Sequence, residues 1–277
     1  MSHPEPVARR MFDLVEPIGM LPYFAGESDE ALMALGLRNV WDAYFAGRAA
    51  PFGPAIPAEV VHAVFYNFAP GEVARHIPRI WDLTTPEAAL AARERGCVAG
   101  MRRILGERAD DPAVTRAADL LLRAATSAPM EGRALYAALR ALPVPREPLA
   151  RLWHAATLLR EHRGDGHIVA LLAEGIGGTE AHVLHALSTD VPAEKFGRLW
   201  HLPAAQLAAV IDGMRARGLV GADGWLTAEG RAAKERVEAM TDRLAEAPYQ
   251  ALDSGELDRL IADLGPISAA LKAEFPW

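Results

Sequence analysis

The stretch RLWHAATLLREHRGDGH, Arg151 to His167, is an apolar helix that runs straight into a segment holding Glu161, His162, Arg163, Asp165 and His167. At helical spacing, Leu149, Leu152, Trp153, Ala156, Leu159, Arg160 and Arg163 share one stripe. The face that should be buried therefore ends in two guanidinium groups. Those charges need partners, and Glu161, Asp165, His162 and His167 are the nearest in sequence. Gly164 and Gly166 permit a tight bend at positive φ that folds these groups back over the helix end. Two readings follow. One is a charged helix C-terminus, where each cation is favoured by ~0.3–1 kcal/mol; the other is a polar pocket.

The chain around this stretch is long enough for substantial cores, since 277 residues bury on the order of 75% of their unfolded surface. A hydrophobic fraction of 51% with 23% charged and 7% aromatic residues reads as an alanine- and leucine-rich helical protein, and excludes disorder and fibres. No apolar run reaches the ~18–20 residues of a membrane span, and MSHPEPVARRMFDLVEP lacks the apolar core of a signal peptide. A cytoplasmic protein without membrane partners is the expectation. The single cysteine, Cys97, has no disulfide or CxxC companion and reads as a small buried hydrophobe. A net charge of −7 opposes broad electrostatic capture of nucleic acid.

Helix is expected over 5–17, ended by Pro17, and over about 28–48, whose stripe Val40, Trp41, Tyr44, Phe45 and Arg48 again runs from aromatics into an arginine. Short helices follow at PAEVVHAVFYNF and PGEVARHIPRIWD. Alanine-rich helices then cover 85–95, 97–106, 111–127 and 131–142. PVPREP, with three prolines between 143 and 148, disfavours helix and marks a boundary between a helical N-terminal domain, 1–145, and a second domain, 146–277. Beyond His167 the expected elements are IVALLAEG, EAHVLHAL, AEKFGRLWH and PAAQLAAVIDGMRARG. A two-stranded hairpin turning at Asp223-Gly224 and a long helix from Arg231 precede a helical tail.

From about Thr179 to Leu244 this order of three helices, two-stranded wing and long helix resembles the winged helix-turn-helix domain of MarR-type regulators. The specific part is GLVGADGWLTAEGR, 218–231. The whole chain also resembles a group of actinobacterial helix-turn-helix proteins, through YFAGRAAPFG, VFYNF and LREHRGDGH. The resemblance implies a mainly α fold with a C-terminal winged helix, a recognition helix at Pro203 to Arg217 and a wing at Val220 to Leu226. In addition, LRNVWDAYFAGR (37–48) resembles LARLWHAATLLR (149–160), and IWDLTTPEAALAARERG (80–96) resembles 199–218. We read the N-terminal half as a degenerate, wingless repeat, so the protein is either a monomer built as an internal pseudo-dimer or a homodimer.

Sequence readout requires Arg, Lys, Asn or Gln near the start of the recognition helix. Gln206 alone qualifies there, the wing carries Asp223 and no cation, and Lys195, Arg198, Arg215 and Arg217 lie towards the edges of the motif. The candidate DNA-binding residues are Gln206, Arg215 and Arg217. The candidate ligand-binding residues are Trp41, Tyr44, Phe45, Arg48, Trp153, Arg160, Arg163 and His167, which place aromatic walls and arginine forks around a small, anionic molecule. The function expected from these features is that of a ligand-responsive MarR-type transcriptional regulator. The alternative is an enzyme on the same scaffold, with Asp165 or Glu161 orienting a His167 that titrates near neutrality. His182 and His185, with His162 and His167, leave a metal or haem open in that alternative, although no standard zinc spacing is present and the cofactor is otherwise unspecified.

Overall fold

A computed structural model describes residues 6–197, 199 and 202–275. Thirteen α-helices are found among them. The chain begins with α1 (Val7–Gly19), α2 (Leu21–Phe24), α3 (Gly26–Met33), α4 (Val40–Ala49) and α5 (Ala58–Phe65), followed by α6 (Pro86–Leu105), α7 (Pro112–Ser127) and α8 (Ala134–Arg140). Next come α9 (Pro148–Ala173), α10 (Gly178–Ser188), α11 (Ala204–Ala216), α12 (Ala228–Leu244) and α13 (Ser254–Glu274). Membership of the mainly α class follows directly. Among the described residues no helix is long and apolar enough to cross a membrane.

The organising element is α9. Glu147 caps it by accepting from Ala150 N at 2.6 Å, and Pro148 occupies its first turn, where a missing N–H costs nothing. It does not end near His167. Gly164 and Gly166 lie inside the helix, so the expected bend is replaced by continuous helix to Ala173. At Gly166 the physical reason is visible: the Arg133 guanidinium packs on the backbone, where any Cβ would collide with it, and donates to His162 O and, at 2.8 Å, to Leu244 O. α9 carries buried side chains on all faces, as a helix enclosed by others must.

Two apolar clusters are threaded on this helix. Leu149, Leu152, Leu158 and Leu159 belong to the first, together with α1, α4–α8 and the C-terminal α13. Ala170 and Leu171 belong to the second, together with α10, α11 and α12. Each fully buried leucine contributes about 1.5–3 kcal/mol, which makes α9 the part of the fold that neither cluster can lose.

Several boundaries differ from the expected ones. Residues 28–48 form two helices, because Gly36 takes φ 87° and Asn39 caps α4 through Trp41 N and Asp42 N, both at 3.0 Å. Pro17 sits inside α1. Gly96 sits inside a single α6, where the absence of a side chain lets the Glu27–Ser28 backbone of α3 pack directly on it. PGEVARHIPRIWD forms only short 3₁₀ turns, at Val73–Arg75 and Arg79–Asp82.

Of the expected winged-helix segment, α10, α11 and α12 form in order, and α11 (Ala204–Ala216) covers the stretch expected as the recognition helix. The two-stranded wing is not formed: a single antiparallel bridge pairs Val220 with Leu226. Gly218, at φ 72°, ends α11 immediately before Leu219, and Thr227 already caps α12 by accepting from Gly230 N at 3.0 Å. Between these two fixed ends the pairing goes no further than Gly221 N donating to Trp225 O at 2.8 Å and Thr227 N to Leu219 O at 3.1 Å. Expected helix AEKFGRLWH is represented by a 3₁₀ turn at Ala193–Lys195, and Arg198, Trp200 and His201 lie outside the described residues.

Candidate functional site

Between the two apolar clusters, residues 160–167 of α9 form a polar belt whose side chains leave the helix in different directions. Arg160 reaches Glu16 of α1 at 3.2 Å and Glu161 at 2.8 Å, with its guanidinium 5.6 Å from the Tyr23 ring. Glu161 receives Arg48 of α4 at 2.7 Å, and Arg48 also donates to Tyr44 Oη at 2.6 Å. One turn further along, Arg163 pairs with Asp242 of α12 at 2.7 Å and lies 4.5 Å from the Phe12 ring of α1. Asp165 turns towards α8 and accepts from Tyr136 N at 3.0 Å. His162 meets the Tyr136 ring edge-on at 5.1 Å, and His167 Nδ1 lies 2.9 Å from Thr241 Oγ1 of α12.

A cavity of about 1050 Å³ opens beside this belt, walled by α1, α2, α4, α5 and α6 on one side and by α10 and α12 on the other. Trp41, Tyr44, Arg48, Arg160, Arg163 and His167 line it, as do Glu161 and Asp165. Phe45 and Trp153 lie behind the wall. Phe45 is fully buried and stacks on Phe65 at 6.0 Å, while Trp153 carries the Arg93 guanidinium at 5.5 Å.

Sequence reasoning missed Arg93, Tyr23, Asn67 and Glu238, all of which line the cavity. Arg93 had a signal. It falls on the same buried α6 stripe as Ala89, Ala92, Gly96 and Cys97, where a long cation is out of place unless it faces something polar.

The electrostatics separate the titratable groups. Burial alone would raise Glu161, but Arg48 and Arg160 against it prevail and hold it at about 2. Burial raises Asp165 to about 6, against the Tyr136 amide that favours its charged form. Burial lowers His167 to about 4, so it is a neutral imidazole at pH 7 and does not titrate near neutrality as expected. Its partner is the Thr241 hydroxyl. Glu161 is taken up by two arginines and Asp165 faces another helix, so the expected carboxylate–imidazole pair is not assembled.

His182 and His185 flank the Phe196 ring, at 5.6 and 5.4 Å, and His162 faces Tyr136 on the opposite side of α9. The described residues contain no group of three or more His, Cys, Asp or Glu side chains close enough to hold a metal ion.

His154 and His162, like His167, are lowered to about 4 by burial from an ordinary 6.5. Between those values an unfolded chain takes up protons that the fold refuses, so the stability these groups contribute is present above pH 6.5 and is lost as pH falls towards 4. Asp165 opposes this, its contribution being full below its ordinary 3.8 and lost as pH rises through about 6, and Asp29 and Glu94, also raised by burial, oppose it by smaller shifts, while His185, lowered by burial, adds to the three histidines. Melting followed by circular dichroism should show Tm falling between pH 7 and pH 4.5, at up to ~1.4 kcal/mol per pH unit for each histidine. A Tm flat across that range would contradict the buried neutral imidazoles.

At the helix-turn-helix end, Gln206 is exposed in the first turn of α11. Arg215 is held by Asp212 at 2.8 Å and by Gly221 O at 3.3 Å, and Arg217 by Glu180 at 2.8 Å and by Gly175 O at 2.6 Å. Both cations therefore enter any contact with phosphate already engaged.

Comparison with known proteins gave no match among curated proteins and none among solved structures. A family described as a helix-turn-helix family matches residues 8–275, so the helical body is as much part of the family as the α10–α12 segment. The chain belongs to this helix-turn-helix family.

Proposed function

We propose that the protein is a ligand-responsive transcriptional regulator of the MarR type, in which a small molecule in the cavity sets the position of α11. The observation that carries this reading is the cavity's location. Its walls on one side are α10, against which α11 packs, and α12, which shares the second apolar cluster with both, and on the other side the helical body. A molecule that bridges the two sides changes the energy of moving one against the other, which is what coupling two sites requires.

DNA contact in this reading comes from Gln206 and the α11 N-terminus, aided by Arg215 and Arg217 once they leave their carboxylates. That arrangement predicts weak, salt-sensitive binding. In a gel-shift titration on the duplex upstream of the protein's own gene, binding at about 50 mM salt should be lost by about 200 mM. Arg215→Ala with Arg217→Ala should weaken it several-fold. Absence of a shift at low salt, on that duplex and on random duplex alike, would remove the regulator reading and leave a ligand-binding helix-turn-helix protein.

A further inference from the structure

Most cations lining the cavity are already answered by carboxylates. Arg48 and Arg160 close on Glu161, Arg163 on Asp242, and Arg9 and Lys234 on Glu238. Arg93 differs. Only 4% of it is exposed, yet among the described residues it forms no ion pair with a carboxylate. Its guanidinium donates to Gly47 O and to Tyr23 Oη, each at 3.3 Å, and lies over the Trp153 and Tyr23 rings at 5.5 and 6.0 Å. Two long hydrogen bonds and two ring faces leave most of its five donors unspent. The carboxylate that acts on it, Glu161, does so only from beyond ion-pair distance, being in direct contact with Arg48 and Arg160.

The site is nonetheless built to hold it there. A Cβ at position 47 would stand 3.0 Å from Arg93 Cδ, so the glycine of α4 gives the arginine its berth. Aromatic rings continue outward from it: Tyr23 lies 5.6 Å from Tyr44, and Tyr44 lies 5.7 Å from Trp41 and 5.6 Å from Phe68. With Glu161 saturating its two neighbours, Arg93 is the guanidinium of this wall that an incoming anion can take without displacing a protein carboxylate.

We propose that the cavity receives an amphipathic monoanion, its oxyanion held by Arg93 and its apolar body lying among Tyr23, Tyr44, Trp41 and Phe68. This rests on the reading of the cavity as a ligand site. The volume of about 1050 Å³ stands at the top of the ~300–1,000 Å³ range of small-molecule pockets, which favours a multi-ring or long-chain acid over a single-ring one.

The test uses two fluorescent probes that differ by one sulfonate, 1-anilinonaphthalene-8-sulfonate and N-phenyl-1-naphthylamine, titrated into the full-length protein and its Arg93→Gln and Arg93→Lys variants. A hydrogen-bonded charge is worth about tenfold or more in affinity. Arg93→Gln should therefore weaken the sulfonate by about tenfold and move the neutral amine by less than about twofold, with Arg93→Lys recovering part of the loss. Equal weakening of both probes would overturn the assignment. Should Arg93→Gln fail to fold, calorimetry on the unmodified protein with 1-pyrenebutyrate and its amide replaces it. The acid binding about tenfold tighter supports the anion site, and equal binding overturns it. If no probe of either kind binds and native mass spectrometry finds the purified protein empty, the ligand-site reading itself falls.

Discussion

Replacing Glu161 by glutamine is expected to destabilise the protein by about 3–5 kcal/mol, the usual cost of removing one partner from a buried ion pair. Glu161 is 3% exposed and lies between Arg48 at 2.7 Å and Arg160 at 2.8 Å. Glutamine keeps the volume but leaves the Arg48 and Arg160 guanidinium groups in the cavity wall with Glu16 as the carboxylate still paired to Arg160 and Asp165 acting on Arg48 from further off. For a chain of this size the loss corresponds to a Tm lower by roughly 6–20 °C.

The pH dependence distinguishes this from a packing effect. Because the folded carboxyl is held at about 2 against an ordinary 4.5, its contribution is present above pH 4.5 and is lost as pH falls towards 2. The gap in Tm between the native protein and Glu161→Gln should thus be widest near neutrality and narrow in acid. A variant melting within about 2 °C of the native protein at pH 7 would show that the triad contributes little.

Gly178→Ala is expected to be the most damaging single-methyl change at the junction. A Cβ there would be driven into the backbone carbonyl of Tyr66 and would stand 3.0 Å from its carbonyl carbon. Neither side is a flexible side chain that can swing away. The contact joins the start of α10 to the cavity rim, where Tyr66 holds φ 59° and donates its hydroxyl to Ile176 O. Overpacking of this kind costs about 1–3 kcal/mol and more where backbone must move.

Here the movement would pull α10 away from residues 64–68, so denaturant stability and probe binding should fall together. Gly213→Ala is the control: it lies in α11 with nothing within 4 Å, and alanine in a helix interior should stabilise by roughly 0.5–1 kcal/mol. If Gly178→Ala matched that control, the close approach would not be a constraint on the fold.

What could be read from the residues alone was governed by short-range signals. Asp111 and Pro112 mark the start of α7, Pro203 and Gly218 bracket α11, and the spacing of apolar residues placed Arg160 and Arg163 on an inward face, where they are found. Caps, prolines and helical periodicity act over a few residues, and nothing distant was needed to interpret them. The helix-turn-helix order is of this kind.

The partners of the polar belt are not. Arg160 meets Glu16 across 144 positions, Arg48 meets Glu161 across 113, and Arg133, 29 positions before His162, occupies the space above Gly166 and keeps α9 straight where two glycines suggested a bend. A glycine read locally permits a turn; only the side chain packed against it shows that its role is to let another residue approach. For the same reason the sequence singled out Arg48, Arg160 and Arg163 as cavity arginines, whereas the tertiary structure decided which arginine lacks a carboxylate. Pairing of buried charges is a property of the helices that converge on a point, and no stretch of chain contains it.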